Sequence, residues 1–253
     1  MGRVNILGVG INDESKPEML RRITEMVVDE GKHYIVTPNP EFVILAQKDK
    51  RFAEILAGAD LAIPDGIGLV FASRFLHGKK KGLRERITGV DLMTKICQIA
   101  RKKKWAIFLL GAEEGIAEKC AQILKEKYGL TILGAHSGWA DKTEDKKNQA
   151  IIKKQIGSRE CHFIFVAYGA GKQEKWIKRN LGKIPVRVAM GVGGAFDFLS
   201  GKVDRAPRVI RQLGLEWLWR LIKEPWRWRR QTALLRFVFL VIKEKLRRYS
   251  FLS

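Results

Sequence analysis

In HFIFVAYG (162–169), QEKWIKRN (173–180) and VRVAMG (186–191) the chain writes strand, helix and strand in close succession. The outer two segments are short, rich in Val, Ile and Phe, and apolar with little alternation, the pattern of strands buried on both faces. Upstream, Val4–Gly8, Tyr34–Thr37, Leu61–Pro64, Trp105–Gly111 and Thr131–Ala135 read the same way. Between the strands lie helical patterns at Lys16–Glu30, Pro40–Lys48, Gly89–Lys103, Gly115–Tyr128 and Thr143–Gln155. In Gly115–Tyr128, Ile116, Cys120, Ile123 and Leu124 share one stripe, and Gly129 is placed to cap the end. Alternating strands and helices predict an α/β fold: a Rossmann-like, mostly parallel sheet flanked by helices. Ligands of such sheets bind at the carboxyl ends of the strands.

The sequence has 253 residues, enough for one sizeable core, and 46% of them are hydrophobic. Charge is its unusual property: 48 Lys and Arg face 27 Asp and Glu, a formal net charge of +21. Such a surplus calls for a polyanionic partner, whether nucleic acid, anionic lipid or a phosphorylated substrate. Cys97, Cys120 and Cys161 form no CxxC pair, and His33, His77, His136 and His162 show no ligand spacing. Neither a zinc site nor a disulfide scaffold is expected, and the thiols read as reduced and buried. The first residues contain no long apolar region, so no secretory leader is expected. No stretch reaches the ~20 apolar residues that span a bilayer.

Near residue 200 the character changes. Residues 201–253 hold 14 basic residues against four acidic ones, together with Trp217, Trp219, Trp226 and Trp228. ALLRFVFLVI (233–242) is apolar apart from Arg236 and is flanked by Arg229, Arg230 and the basic run 243–248. Basic flanks, tryptophans and a short apolar face describe a helix lying in an anionic membrane surface; docking on its own domain or on a second subunit is the alternative. The expected division is thus a catalytic core, 1–200, and a basic helical C-terminal appendage, 201–253. A homo-oligomer built through the appendage stays open.

Several short motifs sit where a parallel sheet would place a site. Thr37-Pro38-Asn39-Pro40-Glu41 opens a helix after a strand, with Asn39 suited to the N-cap and Pro40 to the first turn. The same spot offers a hydroxyl, an amide and helix N–H groups to a sugar or phosphate. Asp65 ends the run Leu61–Pro64 and precedes Gly66 and Gly68. It reads either as a turn or as a general base whose pKa partial burial raises. Gly191, Gly193 and Gly194 follow a strand and allow close backbone approach to a phosphate. Neither this loop nor Gly8-Val9-Gly10 completes GxGxxG, and no GxxxxGK[ST] occurs. No nicotinamide or other cofactor is therefore expected.

Thr37–Glu41 with Asp65-Gly66, Arg86–Asp91, Gly169–Trp176, Gly191–Phe198 with Gly201–Pro207, and Gly214–Arg230 together resemble the WecG/TagA/CpsF glycosyltransferases, in order and over nearly the whole chain. The resemblance implies transfer of N-acetylmannosamine from a UDP-sugar donor to a polyprenyl-diphosphate-linked GlcNAc acceptor in cell-wall polymer synthesis. The uronic acid and glucose remain alternative donor sugars. It implies Asp65 as general base, Thr37 and Asn39 in the sugar pocket, and Arg86 and Gln173 in contact with substrate. Where the family has Gly-x-Pro-x-Gln-Glu this chain has Gly171 in place of proline, which loosens the loop and leaves Gln173 in register.

No Asp-x-Asp motif is present, so no metal is expected and side-chain cations must neutralise the departing UDP. Arg220, Arg227 and Arg230 are assigned that task, on one helix face unless Pro225 breaks the helix. Arg229 suits catalysis and lipid contact equally. The expected location is the inner face of the cell membrane, as a peripheral cytoplasmic protein. Two other readings compete: a nucleic-acid-binding protein, suggested by the charge but lacking a recognition module, and a dehydrogenase, which lacks its fingerprint.

Overall fold

Alternate residues of each central strand turn to opposite faces, and here both faces are covered. In β7 (Cys161–Ala167), Phe163 and Phe165 enter one apolar cluster while Ile164 and Val166 enter the other, all fully buried. β5 (Ala106–Gly111) repeats this, with Ile107 and Leu109 on one side and Phe108 and Leu110 on the other. At about 1.5–3 kcal/mol for each large apolar side chain removed from water, these strands anchor the domain. The computed structural model describes residues 2–225 and 228–250; the side chains of residues 229–231, 249 and 250 lie outside the description.

Six strands form the sheet, all parallel. β3 (His33–Val36), β4 (Leu61–Ala62), β6 (Thr131–His136) and β8 (Val186–Gly191) join the two above in the order β4-β3-β8-β7-β5-β6. One face is covered by α1 (Lys16–Val28), α5 (Gly89–Lys103), α6 (Ile116–Tyr128) and α9 (Ala195–Leu199). The other carries α2 (Pro40–Lys48), α3 (Lys50–Ala57), α4 (Ile67–His77), α7 (Asp145–Ile156) and α8 (Lys172–Asn180). β3 and β8 are neighbours, yet the chain leaves β3 for α2 on one face and β8 for α9 on the other. That divergence opens a crevice at their carboxyl ends, where open parallel sheets bind ligands.

Two features depart from the sequence reading, the N-terminal hairpin and the helices α3 and α4. Val4–Gly8 is not a strand of the main sheet. β1 (Arg3–Ile6) pairs antiparallel with β2 (Val9–Asn12) in a separate hairpin, and only Ile6 of β1 is buried. α3 and α4 were not foreseen. In α4, Phe71 and Phe75 are exposed while Leu69, Val70 and Leu76 are buried, so apolar residues on both sides hide the stripe. The three cysteines are free and buried, and burial pushes each thiol up to about 12, which keeps it unreactive.

After residue 200 come α10 (Arg208–Gln212), α11 (Glu216–Lys223) and α12 (Trp228–Ser250). Neither α10 nor α11 buries a residue fully. α12 packs on α2 and α4 and sends Phe237 and Val241 into the core. The opposite stripe of α12, with Leu235 and Phe239, faces outward. No helix among the described residues is long and apolar enough to cross a membrane.

Candidate active site

The carboxyl ends of the strands open into a cleft of about 1370 Å³, roofed by the first part of the appendage. Thr37 and Asn39 enter it after β3, Asp65 after β4, Gln173 from the start of α8, and Gly193 and Gly194 after β8. Gly214, Trp217 and Arg220 cover it from above.

Asp65 stands at the focus. Its backbone N–H donates to the Pro38 carbonyl at 2.8 Å, which ties the end of β4 to the loop after β3. Gly66 then takes φ +115, a conformation open to glycine, and lets the chain turn into α4. The carboxylate accepts a long hydrogen bond of 3.3 Å from the N–H of Gly89, the first residue of α5. Burial raises its pKa to about 7, although the Gly89 N–H and the Arg86 guanidinium pull it down. A carboxylate poised near neutrality at the floor of an open cleft is equipped to take a proton from a substrate hydroxyl. The Thr37 hydroxyl reaches only the Gly191 carbonyl, at 3.5 Å, so it keeps capacity for a ligand. Asn39 is the N-cap of α2: its side-chain oxygen accepts from the Phe42 N–H at 3.1 Å. Its place in the cleft wall and its capping role coexist.

Gln173 lines the cleft, where a substrate contact was expected of it, and also holds two loops together. Its side-chain oxygen accepts from the Gly193 N–H at 3.0 Å, and its amide donates to Glu174 at 2.7 Å. Glu174, fully buried, also accepts from the Gly171 N–H at 2.7 Å. Burial raises the Glu174 carboxyl to about 7. Together Gln173 and Glu174 clamp the loop before α8 to the loop after β8. Gly191 serves the same clamp and does not line the cleft. A Cβ there would stand 2.5 Å from the Gln173 amide nitrogen. Gly171 has φ +80, which the proline usual at this position cannot adopt, and a Cβ would meet Leu45 at 2.8 Å.

The backbone of Gly193 is therefore already engaged, and the positive charge comes from side chains. Arg220 of α11 lies against Gly194, where a Cβ would be 2.6 Å from its guanidinium. It is held by Glu224 at 2.5 Å and Asp197 at 3.4 Å, with its carbon 4.9 Å from the Phe198 ring centroid. Burial raises the Asp197 carboxyl, with Arg220 and Lys202 opposing that shift. Arg86 lines the cleft and also donates to the Arg211 carbonyl, tying the core to α10. Arg205 makes a second tie, bridging Asp91 at 2.8 Å and Glu216 at 3.1 Å. Arg220 stands on α11, which ends at Lys223, before Pro225, so the condition on the shared face expected for Arg220, Arg227 and Arg230 matters here. Arg227 lies outside the described residues, as does the side chain of Arg230.

The far end of the cleft and the wall behind it hold groups that motif reading passed over: His136 and Tyr168 line the cleft, and Asn148 is buried behind them. His136 ends β6, Tyr168 follows β7 and Asn148 sits on α7. His136 Nε2, the Tyr168 hydroxyl and Asn148 Oδ1 are buried without a hydrogen-bond partner among the described residues. All three converge on Gly138, whose Cβ would stand 3.0, 2.9 and 2.5 Å from them. Buried polar atoms left unpaired are costly, so this end is built to meet water or a polar ligand. The sequence signal was available: His136 and Tyr168 both stand at carboxyl ends of strands. Among the described residues no group of three His, Cys, Asp or Glu could hold a metal ion.

Comparison with known proteins places the cleft in a chemical context. The model of the glycosyl transferase WecG/TagA/CpsF family matches residues 4–251. A Bacillus subtilis (strain 168) N-acetylglucosaminyldiphosphoundecaprenol N-acetyl-beta-D-mannosaminyltransferase is 33% identical over 243 residues, covering 93% of this chain and 92% of its own. Proteins of the same name from Bacillus spizizenii, 34% identical over 92% of this chain and 88% of theirs, and Staphylococcus aureus (strain MRSA252), 31% identical over 96% and 93%, are similar too. With one family spanning both the sheet that carries Asp65 and the helices that carry Arg220, the chain belongs to the WecG/TagA/CpsF family of glycosyl transferases.

Proposed function

We propose that the protein transfers N-acetylmannosamine from its UDP donor to GlcNAc-diphosphoundecaprenol, in a single displacement that inverts the anomeric centre. The observation that carries this reading is Asp65, a carboxyl raised to about 7 by burial, in the same cleft as Arg220. Asp65 removes the proton from the attacking hydroxyl of the acceptor sugar as the new glycosidic bond forms. The bond to UDP breaks on the opposite side, and the charge that gathers on the diphosphate is met by Arg220 against Gly194. The loop clamped by Gln173 and Glu174 fixes where that diphosphate sits. The unpaired atoms of His136 and Tyr168, which line the cleft, suit the polar groups of a nucleoside. The names of the relatives support this donor sugar and this acceptor.

The protein works on a membrane surface without spanning it. Val209, Leu213 and Ile222 of the appendage are more than half exposed, as are Leu235, Phe239 and Leu246 of α12, among many Lys and Arg. Such a face suits an anionic bilayer, where each basic residue contributes about 1 kcal/mol. Sedimentation with vesicles containing anionic lipid, weakening as salt rises, is the expected result; equal binding to neutral vesicles contradicts it.

The reaction is tested by UDP release in EDTA from a panel of UDP-sugars, with a GlcNAc-diphospho-lipid acceptor. Acceptor-dependent release from UDP-N-acetylmannosamine, lost in Asp65→Asn, is expected. Release from another UDP-sugar alone overturns the donor, and no release from any of them overturns the reaction.

A further inference from the structure

Two helices leave the mouth of the cleft side by side, and the surface between them is apolar. Ile67 at the start of α4 and Leu234 near the start of α12 both line the cleft. From Ile67, Phe71 and Phe75 follow at i+4 and i+8, on one stripe of α4. They are 63% and 49% exposed. From Leu234, Val238, Ile242 and Lys245 follow at i+4, i+8 and i+11, again on one stripe. Val238 and Ile242 are 48% and 46% exposed. At the far end Lys245 Nζ lies 5.6 Å from the Phe75 ring centroid, and one turn later Arg248 approaches the Leu76 carbonyl at 3.5 Å. The helices therefore run in the same direction. Leu234 to Lys245 covers about 16 Å at the helical rise.

We infer that this trough between α4 and α12 seats the isoprenoid chain of the lipid-linked acceptor, leading it from the sugar-diphosphate in the cleft to the outside. The inference rests on the reaction proposed above. The trough begins at the cleft, where the acceptor's head group must lie. Its walls offer aromatic and branched aliphatic side chains; Arg74, on the same side of α4, is engaged by the Leu83 and Arg84 carbonyls, and Lys245 closes the far end. It is also distinct from the outward stripe of α12, since Leu235, Phe239 and Leu246 point further round the helix. A bilayer would contact that outward stripe, and the apolar surface beside it would take a single branched hydrocarbon chain. Phe71 and Phe75 on α4 and Val238 and Ile242 on the neighbouring α12 leave apolar surface exposed, and contiguous apolar surface of this kind marks a binding site.

The test is the double variant Phe71→Ser/Val238→Ser, at two partly exposed positions where folding survives. Its kcat/KM is measured on GlcNAc-diphosphoundecaprenol in detergent micelles and on the same head group carrying a short, water-soluble alkyl chain. The expected result is about a tenfold loss on the long-chain acceptor, through KM, with the short-chain acceptor and vesicle binding within about twofold of the native protein. Equal loss on both acceptors, no loss on the long one, or a loss that follows vesicle binding overturns the trough. Equilibrium binding of undecaprenyl diphosphate reads the trough without the reaction. Affinity about tenfold weaker in the variant supports it, and equal affinity overturns it. A native protein that binds this lipid but transfers to neither acceptor contradicts the reaction and leaves the binding result to decide the trough.

Discussion

The strand ends and the appendage meet across one cleft but are built on opposite terms. At the strand ends polar groups are locked: Asp65 to Pro38, Asn39 to Phe42, Gln173 to Gly193 and Glu174 to Gly171. Beneath them lies a sheet buried on both faces. The stretch carrying Arg220 buries no residue of α10 or α11 and is fastened by side-chain ties, Arg86 to Arg211, Arg205 to Asp91 and Glu216, and Arg220 to Asp197. In the proposed reaction the rigid scaffold would supply the base and a lightly held cover the cation. Chemistry is then complete only when the cover is down, which joins catalysis to whatever steadies the cover.

Asp65→Asn breaks the comparison on the core side and carries the largest expected effect, a loss of about 10²–10⁴ in kcat with the fold intact. Arg220→Ala breaks it on the appendage side, with about 10²-fold lower kcat; single-turnover rates check that chemistry is what slows. Arg220→Lys keeps the charge but not the two-sided grip on Asp197 and Glu224, and should recover only part of that loss. Arg205→Ala removes no group that the proposed reaction uses and loosens the tie to Asp91 and Glu216, so about a tenfold loss that excess anionic vesicles relieve is expected; no relief counts against a mobile cover. Within α12, Phe237→Ala should cost about 3 kcal/mol in urea unfolding, while Phe239→Ala stays within about 0.5 kcal/mol. Equal effects there would show that the helix is not docked by one stripe.

The smallest effect is confined to stability in the core. Partial burial disfavours charge on His33, but hydrogen bonds to Asp60 at 3.0 Å and Asp29 at 2.6 Å outweigh it and raise its pKa. The group is more basic folded than unfolded, so its contribution is fully present below the unfolded value of about 6.5 and is lost as pH rises through the folded one. His33→Gln should flatten stability across that window while transfer is unchanged.

The parallel sheet was legible because strands buried on both faces leave near-continuous apolar runs, as in Phe163–Val166. Val4–Gly8 misled because Val4, Ile6 and Leu7 in a hairpin resemble a buried strand, and the turn at Gly8 is the distinguishing feature. Asp65 and Thr37 were legible as strand-end polar residues. The job of Gln173 was not, because its partner Gly193 lies 20 residues on and the same side chain serves either a ligand or a loop. The tie from Arg86 to Arg211 spans 125 residues and no local pattern encodes it. The polar trio around Gly138 belongs to three separate elements and becomes visible only when they are brought together.

The most direct test of a core-held base is the pH dependence of kcat/KM for acceptor-dependent UDP release, from pH 5.5 to 9, in native protein and Asp65→Asn. A carboxylate that must be ionised and titrates at about 7 predicts that the native rate falls about tenfold per unit below that point. The variant should be slow and flat across the range. An acidic limb that survives unchanged in Asp65→Asn would contradict Asp65 as the base.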